Sequence, residues 1–179
     1  MALATRMFII AVLSLDEFFN NIPIDQKPIT HDPGIPLNIL IAFTSIVMAP
    51  IIEEIIFRKW ILGSFLNLGK YIYIGLVASC VLFIHPDSRV FASLVSGLMP
   101  GLIYLRFGLK GSIFFHVIYN LLWFIVRNNR SVYDNLFTWL DFGFLYWFVF
   151  LISIVLVVVF ILRSIKSINS KYTNAESGI

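Results

Sequence analysis

The sequence predicts an all-α fold, a polytopic transmembrane helical bundle of about six helices with a short first helix. Three observations predict it. Hydrophobic residues make up 59% of the 179 residues, charged residues only 13%, and the mean hydropathy is +0.91. Soluble domains of this size are far less apolar. The apolar runs are continuous, whereas membrane barrel strands alternate apolar and polar residues, so helices are the expected spanning element. The runs are also separated by short polar or Pro- and Gly-containing stretches that read as turns. The net charge of +3 is scattered along the chain, which fits the basic bias of cytoplasmic membrane loops and gives no nucleic-acid-binding patch. The lone Cys80 lies in an apolar run, excludes a disulfide framework, and reads as a small core residue.

Residues 1–36 read as a short N-terminal helix and a polar loop. An apolar run over 7–15 follows Arg6, too short for a full span, and Asp16 and Glu17 follow it where a leader peptide would show a small-residue cleavage site. Residues 16–36 carry Pro23, Pro28, Pro33, Pro36 and Gly34 with four acids, so they read as an extramembrane loop, with His31 a solvated loop histidine.

Residues 37–126 form the expected core. Residues 37–66 make one long apolar segment that exceeds a ~30 Å hydrocarbon layer at ~1.5 Å per residue, so it tilts or leaves the membrane. Pro50 predicts a kink in it. A turn over 67–70 leads to a helix over 71–84, which ends at His85-Pro86. The next helix, 90–105, holds Gly97-x-x-x-Gly101, a spacing that allows close helix approach, and a second kink is expected at Pro100. A turn over 106–111 precedes a helix over 112–126, on which His116 and Asn120 share a face at i,i+4.

Residues 127–179 read as a polar loop, a last span over 137–162 and a frayed basic tail. Trp139, Tyr146 and Trp147 suit an interfacial belt at the start of that span. The bases at Lys59, Lys70, Arg106, Lys110 and the tail fall on one side, and the acidic loop on the other. The positive-inside rule then places both termini in the cytoplasm.

The chemistry concentrates in Glu53-Glu54-Ile-Ile-Phe-Arg58, inside the oily segment 37–66. A charged side chain at mid-bilayer costs about 2.5–3.5 kcal/mol on insertion scales, so three together imply a function. Glu54 and Arg58 are i,i+4 and can pair. Glu53 points about 100° away around the helix. One carboxylate held by an arginine and a second available for chemistry is the expected arrangement. Equal hairpin arms bring His85 to the depth of Glu53. His116 lies closer to its own turn, so it reaches them only if the helices kink or that turn is sunken. A carboxylate facing imidazoles in a low-dielectric cavity suits proton abstraction from water, and His116 with Asn120 suits hydrogen bonding to an oxyanion. Together these point to hydrolysis of a peptide bond.

These residues resemble the motifs of the CPBP family, the CAAX proteases and bacteriocin-processing enzymes also called the Abi domain. Glu53-Glu54-Ile-Ile-Phe-Arg58 is similar to its E-E-x-x-x-R motif, His85 to the end of its F-x-x-x-H motif, and His116-Val-Ile-Tyr-Asn120 to its H-x-x-x-N motif. Val81 stands where the second motif has Phe, a departure expected to alter packing rather than chemistry. The resemblance implies an intramembrane endopeptidase related to the Ras-converting enzyme, with a peptide or membrane-protein substrate at the bilayer. Glu53 would activate water, His85 would assist, His116 and Asn120 would stabilise the oxyanion, and Glu54 and Arg58 would brace the site. No cofactor is required by a glutamate-type mechanism. Zinc held by Glu53, His85 and His116 is the alternative. The resemblance also implies a prokaryotic inner-membrane setting. A non-catalytic interaction or bacteriocin-immunity protein on the same fold is the second reading. A proton-coupled transporter is disfavoured because no inverted repeat is visible.

Overall fold

In the computed structural model, the described residues are 1–20, 35–66, 68, 72–81, 90–128 and 144–173. They are helical throughout apart from chain ends and turns, with no strand among them. The elements are α1 (Ala2–Asn20), α2 (Ile35–Phe43), α3 (Ala49–Glu54), α4 (Ile72–Val81), α5 (Val90–Asn128) and α6 (Phe144–Ile168). π-helical segments at Thr44–Met48, Ile55–Leu62 and Asn169–Thr173 link or extend them. Three runs among the described residues, Ile39–Leu62, Leu94–Val126 and Phe144–Lys171, are long and apolar enough to cross a membrane. Many of their large apolar side chains face outward, among them Ile52, Ile56, Trp60, Phe114, Leu151 and Leu162. Water would penalise that outward face and acyl chains would not, so the chain is an integral membrane protein. The turn over 67–70 falls mostly, and His31, His85, Trp139 and the acids Asp25 and Asp32 entirely, outside the described residues.

The first helix differs from the expectation. α1 runs on through Asp16 and Glu17 to Asn20, although only Ala2–Ala11 is an apolar stretch. Nothing in residues 12–20 is a helix breaker, so the backbone continues past the point where the apolar signal stops. α2 begins at Ile35, because Pro36 at a first-turn position has no need of its missing N–H. The interruption expected at Pro50 takes the form of the widened turn Thr44–Met48 just before it. The proline removes one ladder bond and crowds the carbonyl four residues back, and a π-turn relieves that.

α5 folds back on itself. Gly108 has φ 77° and ψ −175°, a conformation open to glycine alone. Ser112 Oγ lies 3.0 Å from the carbonyl oxygen of Pro100, 12 residues earlier. Along a straight helix those positions are about 18 Å apart. Residues 90–107 and 109–128 are therefore two arms with an elbow at Gly108, within the turn expected over 106–111. Counted this way, the described residues hold six helical runs. The last of them also outlasts its expected end. α6 passes Arg163 and Lys166, and its π-helical extension reaches Thr173, because Ile161, Ser164 and Ile168 keep a stripe at helical spacing turned inward.

The chain divides into two units. One comprises residues 1–48 and 117–157. In it, Tyr146 is buried and its hydroxyl donates to the carbonyl of Ala11 at 2.9 Å. Trp147 is exposed. Arg6 donates to the carbonyl of Tyr119 at 2.9 Å and lies 3.5 Å over that ring. The other unit comprises residues 49–116 and 158–179. Its core contains Leu62, Ile72, Leu76, Cys80, Leu102, Leu105 and Ile168. Here the glycine spacing acts as expected. A Cβ on Gly97 would stand 3.1 Å from Cys80 Cα, and one on Gly101 would run into Leu76 Cδ1, so α4 rests directly on the backbone of α5.

Candidate active site

The two adjacent glutamates close α3 and open a π-helical segment, a helix irregularity that recurs at functional sites. One residue of rotation gives them different surroundings. The Glu54 side chain is fully buried, whereas that of Glu53 is 27% exposed.

Glu54 is engaged at both oxygens. Arg58, one turn on, brings Nε to 3.4 Å from Oε2, and that side chain is also fully buried. The Ser112 hydroxyl donates to the same Oε2. His116 Nδ1 meets Oε1 at 2.9 Å. Arg58 in turn donates through Nη2 to the Gly97 carbonyl at 2.8 Å, next to the site where α4 crosses. The missing side chains of Gly97 and Gly101 thus serve both the helix contact and the guanidinium. Burying a carboxylate and a guanidinium costs several kcal/mol per ion unless each is paired and hydrogen-bonded, and this network meets that demand.

The network also orients the histidine. An ionised carboxylate only accepts hydrogen bonds, so Nδ1 is the donor toward Glu54. Nε2 is then directed at Glu53, whose Oε2 is 3.6 Å away. That separation exceeds a hydrogen bond but lies within range of an electrostatic contact. The result is a line of groups from Arg58 and Ser112 through Glu54 and His116 to the partly exposed Glu53.

Glu53, Glu54, Arg58 and His116 therefore come together in one unit. His116 makes this contact eight positions beyond the Gly108 elbow, which settles the depth mismatch that straight helices would leave. Asn120 belongs to the other unit, where its amide donates to the Ser45 carbonyl at 3.0 Å. His85 lies outside the described residues. Of the zinc ligands considered, Glu53 and His116 are neighbours, and a carboxylate-oriented imidazole is a common metal ligand. Among the described residues no three His, Cys, Asp or Glu side chains form a metal-holding group. Ser112 was missed in the sequence. Extending the i,i+4 spacing of His116 and Asn120 one turn back would have found it.

No curated protein and no solved structure matches the chain. The family model of Rce1-like proteins, type II CAAX prenyl endopeptidases, matches residues 35–122, the stretch that contains both glutamates, Arg58, Ser112, His116 and Asn120. That match supports assignment of this stretch to the Rce1-like family of CAAX proteases.

Proposed function

We propose that the protein is an intramembrane endopeptidase in which Glu53 activates the hydrolytic water. The observation that carries this reading is the asymmetry of the two carboxylates: Glu54 is sealed and neutralised, while Glu53 is partly exposed and faces an oriented imidazole. Glu53 takes a proton from water, and the hydroxide adds to the scissile carbonyl carbon. The C–N bond of the tetrahedral intermediate then breaks, and Glu53 returns the proton to the departing amine nitrogen. When its ring carries both protons, Nδ1–H on Glu54 and Nε2–H toward the substrate, His116 acts as a donor to the oxyanion, and Asn120 is the second donor that the H-x-x-x-N motif implies. His85 assists at the water. Glu54 and Arg58 hold His116 in place.

The substrate is a peptide or membrane-protein segment at the bilayer, and the setting is a prokaryotic inner membrane with both termini in the cytoplasm. Lys59, Arg106, Lys110, Arg163 and Lys166 are consistent with that orientation. Peptide maturation, bacteriocin self-immunity or regulated cleavage suits this setting better than prenyl-protein processing.

The test is hydrolysis in proteoliposomes of internally quenched peptides, one set prenylated at a CAAX-type cysteine and one unmodified. Glu53→Gln is expected to lower turnover by about 10²-fold or more. Hydrolysis that survives a zinc chelator supports the glutamate mechanism, and loss that zinc restores would favour the metal alternative. A Glu53→Gln protein that keeps full biological activity would defeat the protease reading in favour of a binding or immunity role.

A further inference from the structure

We infer that Ser112 is a positioning residue of the hydrolytic site, acting through Glu54 on His116. This inference rests on the protease reading above. Ser112 is fully buried and lies four residues before His116, on the same face of the second arm of α5. Its hydroxyl faces two acceptors, Glu54 Oε2 and the Pro100 carbonyl oxygen. One hydroxyl proton serves both, and the ionised carboxylate is the stronger acceptor. Ser112 and Arg58 address the same oxygen of Glu54 from different elements, and between them they fix the carboxylate plane. With Oε2 fixed, Oε1 is aimed at His116 Nδ1, and Nε2 is aimed at Glu53.

Arg58 Nε stands 3.4 Å from Oε2, beyond ordinary hydrogen-bond length, and its Nη2 donates to the Gly97 carbonyl. The serine hydroxyl supplies the direction. It also joins three pieces of chain at one point: α3 through Glu54, the first arm of α5 through Pro100, and the second arm on which it sits. A role limited to joining these pieces would affect stability alone, whereas a positioning role affects turnover and the imidazole itself.

The experiment compares Ser112→Ala, Ser112→Cys and Glu53→Gln in proteoliposomes, using the quenched peptides and ¹⁵N-histidine labelling. The His116 signal is assigned by its loss in His116→Gln. Ser112→Ala is expected to lower kcat about tenfold with KM within about twofold, and to reduce the Nδ1-protonated His116 signal. Ser112→Cys, of similar size with a weak donor, is expected to fall between it and the parent, and gives the readout if the alanine variant does not assemble. Unchanged kcat, or a lower kcat with an unchanged His116 signal, overturns the inference while an inactive Glu53→Gln leaves the protease reading standing. A Glu53→Gln protein with full turnover overturns both.

Discussion

His116 and Glu54 stand 62 residues apart in the chain, yet imidazole Nδ1 and carboxylate Oε1 meet at 2.9 Å with both side chains almost wholly buried. Glu54 is therefore the hub of this network, and its neighbour Glu53 is the more exposed of the two carboxylates. The two glutamates are chemically identical and adjacent in sequence, so the division between a sealed and a partly exposed carboxylate comes from environment alone.

That division predicts opposite phenotypes for one substitution at two neighbouring positions. Glu54→Gln removes the charge that compensates Arg58 and turns one of the two accepting oxygens into a donor, so it is expected to cost about 3–5 kcal/mol of stability. Glu53→Gln, at a partly exposed position, is expected to leave stability within about 1 kcal/mol while abolishing turnover. Thermal unfolding of the two variants in detergent checks this, and equal midpoints would contradict the hub role of Glu54.

Gly97 is the position where α4 and Arg58 converge. A Cβ there meets the backbone of Cys80 at 3.1 Å, and backbone yields less than the tip of Leu76 that faces Gly101. Gly97→Val is therefore expected to push α4 away, weaken the bond from Arg58 to the Gly97 carbonyl, and cost about 1–3 kcal/mol. Gly101→Ala, which needs only a turn of Leu76 Cδ1, is expected to cost less. The comparison of their unfolding midpoints tests the assignment.

Gly108 tests backbone strain in isolation. No atom lies within 4 Å of where its Cβ would be, so Gly108→Ala meets no steric neighbour. Its φ of 77° with an extended ψ is nonetheless closed to alanine, and the expected cost is about 1–3 kcal/mol. Gly63→Ala, at an ordinary helical φ of −57° with contacts no closer than 3.4 Å, is expected to be neutral or slightly stabilising. If Gly108→Ala proves as harmless as Gly63→Ala, the elbow does not depend on the glycine.

Arg6 offers a check in the other unit. Its guanidinium bonds the Tyr119 carbonyl and lies over the Tyr119 ring, with Trp123 at 5.1 Å. Arg6→Met keeps the apolar stem but removes both interactions, and a loss of about 1–3 kcal/mol is expected. Arg6→Lys is expected to recover part of it, since a point charge keeps the cation–π attraction but not the planar stack.

The features legible in the residues alone are local. The helical class, the long apolar runs, the i,i+4 pairing of Glu54 with Arg58, the small-residue contact at Gly97 and Gly101 and the turn around Gly108 all follow from helix periodicity and from glycine's backbone freedom, which act over a few residues. Packing, by contrast, sets the contacts of Ser112 and His116 with the carboxylate of Glu54, and the inward turn of Tyr146 to Ala11. It also keeps α6 helical beyond its basic residues, through Ile168 in the core. Those outcomes depend on which buried groups need partners once the helices pack, and a buried carboxylate takes its donors from wherever in the chain the fold brings them.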